Sequence, residues 1–90
     1  MLQENQETYI NILNEIVKKQ SIVLGPNIAI LKAKSIPGLK INDQGTVVSI
    51  DGNGEKILKQ LIDAYIDLSG QIVKNLLNPI FAKYPKINIL

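Results

Sequence analysis

The ninety residues carry ten lysines against eight acids, a formal charge of +2, with no cysteine and no histidine. These absences exclude disulfides, thiolate metal sites and cysteine nucleophiles, and they remove the commonest general base and transition-metal ligand. With 46% apolar residues the chain is expected to fold as one small domain, residues 1–90, and its spread lysines, with no arginine among them, lack the basic stripe of a nucleic-acid reader.

The start, "MLQENQETY", is polar and acidic, unlike a signal peptide. No apolar run approaches the roughly 18 residues of a membrane span. The expected setting is cytoplasmic, with no membrane and no nucleic-acid partner. From about Leu2 to Lys34 the chain reads as helical. Tyr9, Ile10, Leu13, Ile16 and Val17 form an apolar stripe, and Glu15 and Lys19 form an i,i+4 pair on the wet side. The pair Gly25-Pro26 interrupts this stretch. Carrying the helical phase through it leaves Leu24, Ile28 and Leu31 on the face of Leu13 and Val17, which favours one kinked helix. The alternative is two helices, with Gly25 near the cap and Pro26 at the first position of the second.

Next, "LKINDQGTVVSIDGNG" reads as a β-hairpin set off by Pro37-Gly38. Leu39 and Ile41 alternate on one strand, Val48 and Ile50 on the other, and "NDQG" supplies turn residues. From Asn53 to Tyr84 a second helical stretch puts Leu58, Leu61, Ile62, Tyr65, Leu68, Ile72, Val73 and Leu76 on one side, with Lys56, Lys59, Asp63, Asp67 and Lys74 opposite. Asn53 is the expected N-cap, Glu55 suits the positive end of the helix dipole, and Pro79 should end or bend the last turns. The fold class is therefore α+β: two long amphipathic helical segments flanking a hairpin.

Several motifs suggest chemistry and fall to simpler readings. "SIDGNGEKILKQ" resembles a calcium loop, yet it offers Ser49 where an acid belongs and Gln60 where a bidentate glutamate belongs, with Lys56 inside the loop. A hairpin-to-helix turn accounts for Asp51, Gly52, Asn53 and Gly54. Asp63 and Asp67 lie one turn apart among lysines, as on a solvated face rather than in a catalytic cleft. Gly25-Pro26-Asn27 lacks the spaced glycines and the Lys-Ser/Thr of a phosphate loop. The three tyrosines have no base or metal partner visible in sequence. No catalytic residue, metal ligand or cofactor is expected.

The positive signal is apolar width. On one continuous wheel the second stretch is apolar over roughly 200°, from Ile57 through Tyr65 to Ile66 and Leu77, where a helix facing one core needs little more than about 100°. A second chain would cover the surplus, through Tyr65, Ile66, Ile72, Val73, Leu76, Leu77 and Ile80, giving a dimeric helical bundle. The apolar tail residues Ile87, Ile89 and Leu90 point the same way. Gly25, Pro26, Gly70 and Asn53 are expected to be structural. "IVLGPNIAIL" and "IDLSGQIVKNLL" echo each other weakly, each with a glycine midway that would let two backbones approach.

The order of "LGPNIA", "AKSIPGLKINDQGTVVSIDGNGEKILKQLIDAYIDLSG" and "LNPIFAKYP", from Leu24 to Pro85, resembles a small module of prokaryotic, especially archaeal, signal-transduction proteins. The resemblance implies a regulatory or accessory domain without catalytic residues. The expected function is a non-enzymatic interaction or dimerisation module. The alternative is a domain that uses the surplus apolar surface as a pocket for a small molecule or lipid. A lysine-driven DNA-associated protein is a third and weaker reading.

Overall fold

A computed structural model describes residues 6–70 and 72–84. Helices α1 (Gln6–Leu24) and α2 (Pro26–Lys34) precede strands β1 (Leu39–Ile41) and β2 (Val47–Ile50), and helices α3 (Gly54–Ser69) and α4 (Ile72–Ala82) follow. The architecture is α+β. Leu2 and the tail residues Ile87, Ile89 and Leu90 lie outside the described residues.

Both long segments are broken rather than continuous. Gly25 adopts φ 91°, ψ 145° and Gly70 adopts φ 72°, ψ −149°, a region essentially confined to glycine. The two corners are built alike. The Gly25 N–H donates to Ser21 O and closes α1, and Gly25 O accepts from Ala29 N to open α2. The Gly70 N–H donates to Ile66 O, and Gly70 O accepts from Val73 N. Pro26 stands at the first position of α2, where its missing N–H costs no helical bond. The kinked-helix reading is thereby corrected, and so is the helical phase drawn through the corner: Ile28 and Leu31 are exposed, and α2 buries Ala29 and Ala33 instead. Nor do these glycines serve close packing, because a Cβ at either would meet nothing within 4 Å. Pro79 sits inside α4, which continues to Ala82.

The two halves share a burial pattern. Ile12, Leu13, Ile16, Val17 and Gln20 are the buried residues of α1, and Ile57, Leu58, Leu61, Ile62 and Tyr65 are those of α3. They stand at a constant offset of 45 positions (12 to 57, 20 to 65), as do Gly25 and Gly70. The offset is also spatial at the helix starts, where the Tyr9 ring lies against Gly54. Near the helix ends, the Tyr65 hydroxyl reaches Ala29, just beyond the Gly25 corner. So α1 and α3 run parallel and in step, and both reach their glycine about 24 Å from that start at 1.5 Å per residue. Helices α2 and α4 each pack on both α1 and α3, which makes the parallel pair the centre of the bundle.

The hairpin packs on α1 and α2. Asn42 Oδ1 accepts from Gln44 N and Thr46 N, and it shapes the turn in which Gly45 has φ 86°. An irregularity between Lys40 and Ile41 shifts the register. As a result Val47 and Ile50 face the core, while Val48, expected to alternate inward, is exposed. Asn14 of α1 clamps the edge of β2: its Nδ2 donates to Val47 O (3.2 Å) and its Oδ1 accepts the Val47 N–H (2.7 Å). This satisfies backbone groups that would otherwise form an open sheet edge.

Because the corners lie in glycine-only conformations with open space around them, Gly25→Ala and Gly70→Ala should each lower unfolding stability by about 1–3 kcal/mol through backbone strain alone. Urea denaturation measures this. A loss below about 0.5 kcal/mol at both sites would show that the corners relax to ordinary φ values.

Candidate functional site

The residues expected to face a partner divide sharply. Tyr65, Val73, Leu77 and Ile80 are buried to 1% exposure or less within the single chain, so they are core residues of the protomer. The break at Gly70 is the reason. It gives α3 and α4 separate axes, and each helix turns its own apolar stripe onto the central pair. Ile66 and Leu76 are half-buried, and only Ile72 of the set, at 50%, is well exposed. Asn53 caps α3 through Oδ1, which accepts from Lys56 N at 3.0 Å. Asp63 and Asp67 are exposed.

Apart from Ile72, the sequence reading missed a group of exposed apolar side chains around the two corners. Ile22 is 79% exposed and Leu31 70%, with Val23 and Ile28 beside the Gly25 corner and Leu68 and Ile72 beside Gly70. Since α1 and α3 end level, Ile22, Val23, Ile28, Leu68 and Ile72 gather at one end of the molecule. Val23 and Leu68 even occupy equivalent positions under the offset. The signal available in sequence was position: Ile22 lies about 180° from Leu13 on the α1 wheel, on the lysine side.

The last turns of α1 and α3 are also poorly satisfied. Gln20 is fully buried, yet neither its Nε2 nor its Oε1 has a partner among the described residues, and Ser69 Oγ is likewise buried without one. Tyr65, the equivalent of Gln20 in α3, solves the same problem by donating its hydroxyl to Ala29 O at 2.7 Å. Burial pushes the Tyr65 hydroxyl well above the ordinary tyrosine range.

At the other side of the bundle, Glu15 gathers the end of α4. Lys83 Nζ lies 2.5 Å from Glu15 Oε1, and the Tyr84 hydroxyl donates to Oε2 at 3.2 Å. Hydrogen bonding to Glu15 raises Lys83, while partial burial first and Glu15 second raise Tyr84. A groove of about 470 Å³ between α1, the start of α2 and the hairpin turn is lined by Asn14, Lys18, Ser21, Ile30, Gln44 and Thr46, among others. It is half open to solvent and mostly apolar-walled by area, and Asn14 in it is already engaged with Val47.

Among the described residues no group of three or more His, Cys, Asp or Glu could hold a metal ion, and no helix is long and apolar enough to cross a membrane. Comparison with known proteins finds no matching family model, no matching curated protein and no matching solved structure.

Two outcomes test this description. Gln20→Leu should raise stability by about 1–3 kcal/mol, because it removes a buried amide without partners at similar volume; a loss of stability in denaturant would mean that the amide is paired. For Tyr65 the folded-state pKa is raised, so above about pH 10.0, the ordinary tyrosine value, the unfolded chain sheds its proton first. Stability attributable to this group is full below that pH and declines above it, by up to about 1.4 kcal/mol per pH unit. Tyr65→Phe should flatten that alkaline decline and cost about 1–2 kcal/mol at neutral pH, where Ala29 O loses its donor.

Proposed function

We propose that this chain is a non-enzymatic protein-interaction and dimerisation module whose contact surface is its glycine-corner end. One observation carries the reading: exposed apolar side chains of both halves, Ile22, Val23 and Ile28 beside the Gly25 corner and Leu68 and Ile72 beside the Gly70 corner, lie at that end. Single apolar residues on a surface need no explanation, but a convergent group marks a site of association. The chemistry of the rest agrees. The chain has no histidine or cysteine, and Asp63 and Asp67 stand on an open helix face. A regulatory role in cytoplasmic signalling is the setting that fits such a module and the sequence resemblance over Leu24–Pro85.

The pocket reading has less support. The groove beside Asn14 and Lys18 is half open to solvent, whereas small-molecule sites enclose most of their ligand's surface.

Sedimentation equilibrium of the full chain from micromolar to millimolar concentration tests the self-association, with the melting temperature followed over the same range. The expected result is a reversible dimer whose melting temperature rises with concentration, and a monomeric Ile22→Glu variant. Ile22 is too exposed for this substitution to change intrinsic stability by more than about 0.5 kcal/mol. A monomer throughout, with a constant melting temperature, would refute the dimerisation reading.

A further inference from the structure

Resting on that reading, we propose that the glycine-corner end recognises a second copy in one orientation, set by charge: Lys18 and Lys19 of one copy face Asp63 and Asp67 of the other. The two flanks of this end are equivalent in backbone and opposite in sign. Lys18 and Asp63 occupy the same position under the 45-residue offset that superposes the buried faces of α1 and α3. Beyond Glu15, α1 carries only Lys18 and Lys19 before its corner; beyond Lys59, α3 carries only Asp63 and Asp67 before its own. All four are exposed, and none makes an ion pair among the described residues. The ion pairs among the described residues lie elsewhere, at Lys34–Asp43 and Lys83–Glu15.

A face with one basic and one acidic flank is complementary to itself. The matched burial patterns and glycine corners of α1 and α3 give the two flanks similar backbones, so a second copy can meet the apolar end in two orientations of similar shape. One places like flanks together; the other, a twofold contact, crosses them. Like charges brought together at an interface are disfavoured and opposite charges steer docking, so the crossed arrangement is selected. The apolar side chains then supply the attraction and the four charges supply the register.

Two charge-swapped proteins test this by sedimentation and by native mass measurement at low salt. Lys18→Glu with Lys19→Glu makes both flanks acidic; Asp63→Lys with Asp67→Lys makes both basic. Each alone should weaken self-association on the order of tenfold, corresponding to about 1.4 kcal/mol. Mixed in equal amounts they should form a heterodimer with affinity close to that of the parent, because every flank then meets its opposite. In about 1 M salt, where the screening length falls to about 3 Å, the differences should vanish. Recovery on mixing also shows that both proteins are folded. If the parent dimerises but the swapped proteins dimerise as well as it does, or the mixture gains nothing, the charge-set orientation is overturned while the dimerisation reading stands. A parent that stays monomeric overturns both and leaves the apolar end to a different protein.

Discussion

The bundle depends on two glycines held at positive φ. At Gly25 and Gly70 the backbone enters a conformation that a side chain would forbid, and each long helix is turned back on itself. Only a chain turned back in this way places α2 and α4 against the central pair formed by α1 and α3. An unbroken helix from Asn53 to Tyr84 would present its apolar residues around a wide arc that one short chain could not cover. Broken at Gly70, the same residues form two narrower stripes, and Tyr65, Val73, Leu77 and Ile80 all reach the interior of one protomer. Each such side chain contributes about 1.5–3 kcal/mol on burial, enough in aggregate to hold the corners against their strain.

That solution distributes satisfaction unevenly. At the far end from the corners the parts interlock: Tyr9 packs on Gly54, Asn14 clamps both polar groups of Val47, and Asn53 caps α3. Toward the corners the buried faces of α1 and α3 stay in step, but their chemistry diverges at the final layer. Tyr65 spans the gap to Ala29 O, whereas the shorter Gln20 finds no partner among the described residues, and Ser69 is left in the same state. Unpaired buried amides and hydroxyls are individually costly, and exposed Ile22, Leu68 and Ile72 add apolar surface in water at the same end. Both kinds of local conflict are thus concentrated where the molecule is proposed to meet a partner, a distribution in keeping with the tendency of functional sites to carry such conflicts.

Much of the fold was legible because it is local. The hairpin turn at Asn42–Gly45, the cap at Asn53 and the apolar stripe of α1 are each set by residues within a few positions of one another, and each reads directly from side-chain chemistry. The break at Gly70 was not legible in this way. A mid-helix glycine costs only about 1 kcal/mol, so it permits a corner without demanding one; packing of α4 against α1 and α3 makes the difference. The burial of Tyr65, Val73, Leu77 and Ile80 inside one protomer descends from that point, since a helical wheel has meaning only along a single axis. Ile28 and Leu31 were misplaced for the same reason at Gly25, and Val48 because the register shift at Lys40 is invisible to strict alternation. The echo between "IVLGPNIAIL" and "IDLSGQIVKNLL" was the accessible clue. Extended N-terminally at the offset of 45 positions (12 to 57, 25 to 70), it aligns every buried residue of α1 with one of α3.

The proposed dimer combines matched burial patterns in α1 and α3 with opposite charges on their outer faces. Two similar hairpins around a parallel pair would, if their surfaces were also alike, dock with equal ease in more than one orientation. In the proposed dimer, lysines on one half and aspartates on the other, with Lys18 and Asp63 at matching positions, remove that degeneracy without altering the core, because Lys18, Lys19, Asp63 and Asp67 all stand outside it. The apolar end then needs no reactive side chain to be specific. In that proposal, affinity comes from surface withdrawn from water, and orientation comes from four exposed charges that make no ion pair among the described residues.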